Sequence, residues 1–230
     1  LLIDLGTNGE IILGNRDALF CCATAVGPAF EGGQIRCGIG GVAGAINRFG
    51  FDKGEPFFTT IGDRPPIGIC GSGLFDIIAA LIRTGAIDKT GYLGGTEKIA
   101  GETAYMLTDN LYLAQSDIRA VQLAKAAVCA GIKTLLKVSG NRCEEIETVY
   151  LAGGFGQFMN MESAVTLGLI PAELRGKIKI AGNAAGNGAV KLLLDEAMLG
   201  EIDRIKEKAQ VVSLSESAFF QEEFIEEIGF

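Results

Sequence analysis

The stretch LLIDLGTNGEIILG, residues 1–14, decides how the rest of the chain is read. Leu1, Leu2 and Ile3 run into Asp4, a compact turn follows at Gly6-Thr7-Asn8-Gly9, and a second apolar run occupies Ile11 to Leu13. Two apolar runs joined through Asn-Gly predict a β-hairpin. Two readings of its turn stay open. One is a plain polar hairpin. The other is a hairpin whose main-chain N–H groups converge on an anion. In the second reading Thr7 and Asn8 add side-chain hydrogen bonds. Asp4, at the strand end, then holds a water of a Mg²⁺ shell, because Mg²⁺ keeps most of its waters and takes few carboxylates. The turn feeds a strand rather than a helix, and no G-x-x-x-x-G-K-[ST] occurs, so neither a Rossmann loop nor a P-loop is present.

Working outward, residues 18–24 read as a third strand. Its run, like those of the hairpin, is continuous and predicts strands covered on both faces. Residues 55–61 predict another strand before the Pro65-Pro66 break. A helix is expected from Gly73, with Leu74, Ile77, Ile78 and Leu81 on one side and Gly85 as its stop. Residues 86–104 lose periodicity and read as a surface excursion with short strands. The clearest helix spans 116–140, with Ser116 as N-cap and Gly140 as its end. Then come a strand at 148–152, a short helix around Ser163, a strand at 178–181, a helix at 189–199, a strand at 211–214 and a terminal helix at 217–228. Hairpin strands followed by helices alternating with single strands predict an α/β fold with a mixed sheet.

The 33 glycines cluster where strands end. Gly153-Gly154-Phe155-Gly156 follows the apolar strand at Tyr150, and ligands of α/β sheets bind outside such strand ends. Backbone bare at Gly153 and Gly154 lets a base or phosphate lie close; a tight strand-to-helix turn is the plainer reading. Gly71-Ser72-Gly73 opens a helix whose N–H groups attract anions, although Ser72 reads better as an N-cap. Asn183 stands in GNAAGNGA, where small residues permit close packing. Glu31, in GPAFEGG, reads as a catalytic or partner-binding carboxylate, or as a complement to a helix dipole.

Composition excludes several classes of chemistry. Histidine is absent, which removes every mechanism built on an imidazole base. The net charge of −8 argues against nucleic acid. No apolar run reaches membrane-spanning length. The six cysteines form no Cys-x-x-Cys pair and read as small buried hydrophobes of a reducing cytoplasm. The chain begins at Leu1 and reads as a piece of a longer protein.

Taken in order, DLGTNGEIILGN, ATAVGPAFEGGQIRCG, GICGSGLFDIIAALIRTGAID, DIRAVQLAKAAVCAGIKTLL, VYLAGGFGQFMNMESAVTLGLIP and GNAAGNGA resemble the C-terminal region of reductive activators of corrinoid proteins. These belong to the superfamily of acetate and sugar kinases, chaperone ATPases and actin. The resemblance spans Leu1 to about Leu214. It implies an actin-like, ribonuclease H-like ATPase lobe: one C-terminal lobe, residues 1–230, with an irregular insertion at 86–104. A ferredoxin-like domain with an iron–sulfur cluster and the first ATPase lobe would lie outside the chain. The activity implied is ATP-driven reduction of a Co(II) corrinoid to Co(I), in a partner protein of a methyltransferase system. The cofactors implied are ATP and Mg²⁺, the assembly a homodimer, and the compartment the cytoplasm, with no nucleic acid or membrane involved.

On this likeness Gly6, Thr7, Asn8 and Gly9 cradle the β/γ-phosphates and Asp4 is the catalytic residue, placing Mg²⁺ through water. Gly153, Gly154 and Phe155 line the adenosine pocket, and Gly71, Ser72 and Asn183 are further nucleotide contacts. The isolated piece is expected to be inactive. A small-molecule kinase half-domain and a docking or dimerisation module are the alternatives.

Overall fold

A computed structural model describes the chain apart from Thr96 and Gln157 and the side-chain surroundings of Phe155 and Gly156. The opening stretch forms the expected hairpin, β1 (Leu2–Leu5) and β2 (Gly9–Gly14), and β3 (Leu19–Thr24) continues it. An excursion follows: β4 (Ala45–Asp52), β5 (Glu55–Thr60), β6 (Gly68–Ile69), helix α1 (Gly71–Thr84), then β7 (Lys98–Ile99), β8 (Glu102–Met106) and β9 (Tyr112–Ala114). The long helix α2 (Gln115–Ser139) returns the chain to the first sheet at β10 (Val149–Ala152). After it come the single turn α3 (Gly153–Gly156), α4 (Met161–Thr166), β11 (Ile178–Gly182), α5 (Ala184–Leu194), α6 (Met198–Lys208), β12 (Ala209–Val211) and α7 (Ala218–Glu226).

The main sheet has six strands in the order β11-β10-β1-β2-β3-β12. β1, β10 and β11 run parallel, and the hairpin pairs around β2 are antiparallel. The sheet is therefore mixed, as the strand order predicted. Its strands are not covered on both faces. Ile3, Leu5, Ile11, Leu13 and Cys22 are buried towards α2, while Glu10 and Ala23 between them face solvent. Period-2 alternation inside an apolar run marks a one-sided core.

Helix α2 forms because apolar residues recur at helical spacing over seven turns. Its start differs from expectation. Ala114 is the N-cap, and the carboxylate of Asp117 reaches back to accept the Ala114 N–H at 2.8 Å. Ser116 lies within the first turn. Burial pushes the Asp117 carboxyl above its usual range, against its two backbone hydrogen bonds. α7 docks on the other end of α2. Lys133 bonds Glu223 at 2.7 Å and Glu227 at 2.6 Å, and the buried Lys125 donates to the Gly229 carbonyl.

α1 starts at Gly71, two residues early, with Cys70 as N-cap. Ser72 caps nothing; its hydroxyl donates to the Asn47 carbonyl at 3.2 Å. The helix expected at 189–199 is two. α5 starts at Ala184, with the Asn183 side chain accepting the Gly186 N–H at 2.8 Å, and Leu199 belongs to α6. α5 carries no buried residue: Leu193 is 85% and Leu194 82% exposed, although its sequence is almost wholly small or apolar. Among the described residues no helix is long and apolar enough to cross a membrane.

Candidate nucleotide site

The parallel register sets the site. Asp4 of β1 lies opposite Ala152 of β10, and Ala152 opposite Gly182 of β11. The hairpin bend, the Gly153 bend and the Gly182-Asn183 bend thus leave the sheet at the same edge, outside the carboxyl ends of parallel strands. Contact between the first two is direct. A Cβ added to Gly153 would stand 2.3 Å from the Leu5 carbonyl oxygen and 2.7 Å from Oδ1 of Asp4. Gly153 also has φ +89°, so a side chain is excluded by space and by conformation.

The hairpin tip narrows to two residues. The Gly6 N–H is spent on the Asn8 carbonyl at 3.0 Å, closing the turn. Gly9 is buried in the sheet, where a Cβ would meet Val26 at 2.8 Å. Thr7 and Asn8 are exposed at the tip, and no described partner takes their amides. The Thr7 carbonyl accepts the Gly27 N–H at 2.9 Å, which ties the tip to the segment carrying Glu31. The Thr7 hydroxyl donates to Oε2 of Glu31 at 3.3 Å.

Glu31 is also part of the wall of a cavity of about 720 Å³. That volume lies within the range of small-molecule sites. Gly71 and Ser72 at the start of α1, Gly154, Phe158 and Met159 after β10, and Asn47 and Arg48 of β4 are among the residues that line it, with the segment at Thr60–Gly62. Gly153 therefore touches Asp4, and Gly154, the next residue, faces the cavity. Glu31 and the Gly153–Gly154 backbone thus link the hairpin to the cavity wall.

Of the expected site residues, Gly71, Ser72 and Gly154 line the cavity, Asp4 lies against Gly153, and Thr7, beside Asn8 at the tip, reaches the cavity wall through Glu31. Asn183 lies at the same sheet edge, but its side chain caps α5 and it is not in the cavity wall. The side chain of Phe155 lies outside the described residues. Sequence reasoning gave no role to Asn47, Arg48, Phe158 or Met159. One signal was available for the first two: a strand pattern on each side of Lys53-Gly54, a two-residue hairpin turn.

Over its whole length, residues 1–230, the chain matches the family described as the C-terminal domain of RACo, the ASKHA domain. The chain belongs to that family. It is 34% identical over 246 residues to the corrinoid activation enzyme RamQ of Eubacterium limosum, covering 98% of this chain and 42% of that protein. It is 26% identical over 231 residues to the Co(II) methylated amine-specific corrinoid protein reductase of Methanosarcina barkeri, covering 90% of this chain and 41% of the other. A solved reductive activator for corrinoid,iron-sulfur protein superposes with a TM-score of 0.89 at 36% identity, covering all of this chain and 39% of that one. The chain thus spans about two-fifths of the length of these relatives. ASKHA domains are actin-like ATPase folds that as a class take ATP with Mg²⁺, and the mixed sheet with its flanking helices is of that kind.

The six cysteines are all free thiols. Burial raises the Cys22 and Cys129 thiols to about 12, so both are inert core residues rather than nucleophiles.

Proposed function

We propose that this chain is the nucleotide-binding lobe of an ATP-dependent reductive activator, which returns a Co(II) corrinoid protein of a methyltransferase system to Co(I). The supporting observation is the contact between the hairpin end at Asp4 and the bend at Gly153, which brings the exposed tip amides of Thr7 and Asn8 near a cavity of about 720 Å³. In this reading the amides and side chains of Thr7 and Asn8 hold the β/γ-phosphates, with Gly6 and Gly9 shaping the turn. Asp4 orients a water of the Mg²⁺ shell. Gly153, Gly154 and the Phe155 backbone border the adenosine, Gly71 and Ser72 stand beside it, and Asn183 supports the neighbouring bend. Glu31, between tip and cavity, faces the ribose hydroxyls, which a carboxylate binds as an acceptor.

Bound Mg·ATP supplies a charged group whose hydrolysis changes the number of contacts across the cleft. The protein's part is to bind one nucleotide state more tightly in one conformation, since a ligand shifts an equilibrium only by its differential affinity. The electron for Co(II) comes from an iron–sulfur domain outside residues 1–230, in a cytoplasmic homodimer. The relatives are more than twice as long as this chain, so we assign the apolar face of α5 to the remainder of the polypeptide.

Replacing Asp4 with Ala in the full-length protein tests the reading. Loss of ATP-dependent Co(I) formation with an unchanged melting temperature is expected. Undiminished reduction would remove Asp4 from the mechanism.

A further inference from the structure

Asp76 is a buried acid with no part in the site described above. It sits on α1, 3% exposed, among Leu74, Phe75, Ile77 and Ile78, all of them buried. Isolated burial of a carboxylate is costly, and an apolar residue of similar size would pack there without that cost. The Asp76 carboxylate has two described partners. Oδ1 accepts the hydroxyl proton of the fully buried Ser163 at 2.6 Å, and Oδ2 lies 3.7 Å from the Arg48 guanidinium. Arg48 itself is half-exposed and lines the cavity. Asp76 therefore ties together α1 and β4, both of which line this space, and anchors them through Ser163 to α4.

A guanidinium offers two kinds of surface. Its N–H edge meets carboxylates and phosphates in the plane, and its flat faces stack on aromatic rings. Of the guanidinium nitrogens, Nη1 lies 3.7 Å from Asp76, an ion pair that leaves the flat faces able to stack on a ligand. A phosphate here would share Arg48 with the carboxylate of Asp76, a like charge; a neutral planar base would not meet that repulsion. The phosphate-binding tip lies instead at Thr7 and Asn8, beyond Glu31. The same cavity carries Phe158, an aromatic residue that is 66% exposed, and Met159. Both suit a flat, polarisable ligand.

Resting on the nucleotide reading above, we infer that Arg48 is a specificity-determining residue that stacks on the base and favours purines, and that Asp76 is the positioning residue that holds it at the cavity. The larger purine face gains more from the stack than a pyrimidine does. Asp76 touches no ligand and acts only through Arg48.

Competition binding on the full-length protein, with ATP, CTP and inorganic tripolyphosphate as probes, tests this. Arg48→Ala and Arg48→Lys should each weaken ATP by roughly tenfold, lower the ATP-to-CTP preference and leave tripolyphosphate unchanged. Lysine should fail to rescue because it keeps the charge without the plane. Asp76→Asn should move the same ratio in the same direction and add nothing in the Arg48→Ala background, which a merely structural loss would not do. Should Asp76→Asn fail to fold, the half-exposed Arg48 variants decide the matter alone. A fall in tripolyphosphate affinity that matches the fall in ATP affinity would place Arg48 on the phosphates and overturn the inference. An unmoved ATP-to-CTP ratio would do the same while leaving the function standing. A wild-type protein that binds no nucleotide would overturn both.

Discussion

Gly153→Ala is the most demanding single substitution for this account, and its neighbour supplies the control. At Gly153 the backbone has φ +89°, where an L-residue costs roughly 1–2 kcal/mol. The added methyl would also stand 2.3 Å from the Leu5 carbonyl oxygen, well inside contact, and the neighbour is main chain that cannot rotate away. Forcing an extra carbon into packed structure costs roughly 1–3 kcal/mol more. The total is about 2–5 kcal/mol, or a melting temperature lowered by about 5–15 °C for a domain of this size. Relief requires β1 and β10 to part at Asp4, so nucleotide affinity should fall with stability. A Cβ on Gly154 meets nothing within 4 Å. Gly154→Ala should therefore leave the melting temperature within about 2 °C of wild type, as surface substitutions do. Thermal unfolding of the two variants, followed by nucleotide titration of each, makes the comparison. Equal melting temperatures would refute the claim that the two bends are in contact.

Other expectations follow from the same geometry. Burial opposes the charge on Glu227, but its hydrogen bond and ion pair with Lys133 win and hold its carboxyl below the ordinary value of 4.5. Stability from this contact is complete above that value and is lost as the pH falls through the lowered one. Lys133→Met should flatten the acid side of the stability–pH curve, measured by denaturation at stepped pH, and an unchanged curve would show that the Lys133 ion pairs do not hold the C-terminal segment on α2. On the assignment of the α5 face, Leu193→Ser with Leu194→Ser should lower the melting temperature of the full-length protein; no change would leave the face open to solvent. Glu31→Gln should weaken nucleoside triphosphate binding severalfold while sparing tripolyphosphate, because a neutral amide is a poorer acceptor for ribose hydroxyls.

The parts of the fold that local chemistry dictates were readable from the residues. Asn8-Gly9 signalled the hairpin, although Gly9 pairs with Leu5 in the sheet and the loop is Gly6-Thr7-Asn8; the apolar period marked α2, and Gly85 and Gly140 marked the ends of α1 and α2 with left-handed caps. Misreadings arose where a residue type has two uses. GNAAGNGA has the composition of a loop, yet Asn183 caps a helix that starts at once. Ser116 has the chemistry of an N-cap, but the cap is Ala114, whose N–H donates to the Asp117 carboxylate in the first turn, the one half of a capping box that an alanine permits. β4 went unseen because Asn47, Arg48 and Gly50 interrupt its apolar pattern. The Asp76–Ser163 bond joins residues 87 apart in sequence, and only the fold brings them together. Asp4 and Gly153 were each visible as motifs; their contact is a product of the parallel β1–β10 register.

The central claim, that the Asp4 hairpin and the Gly153 bend form one nucleotide site, meets its most direct test in calorimetric titration of the full-length protein with Mg·ATP. One saturable site per chain is predicted, with affinity lost in Gly153→Val and reduced in Asp4→Asn. Wild-type affinity in both variants, or no heat from the unmodified protein, would contradict it.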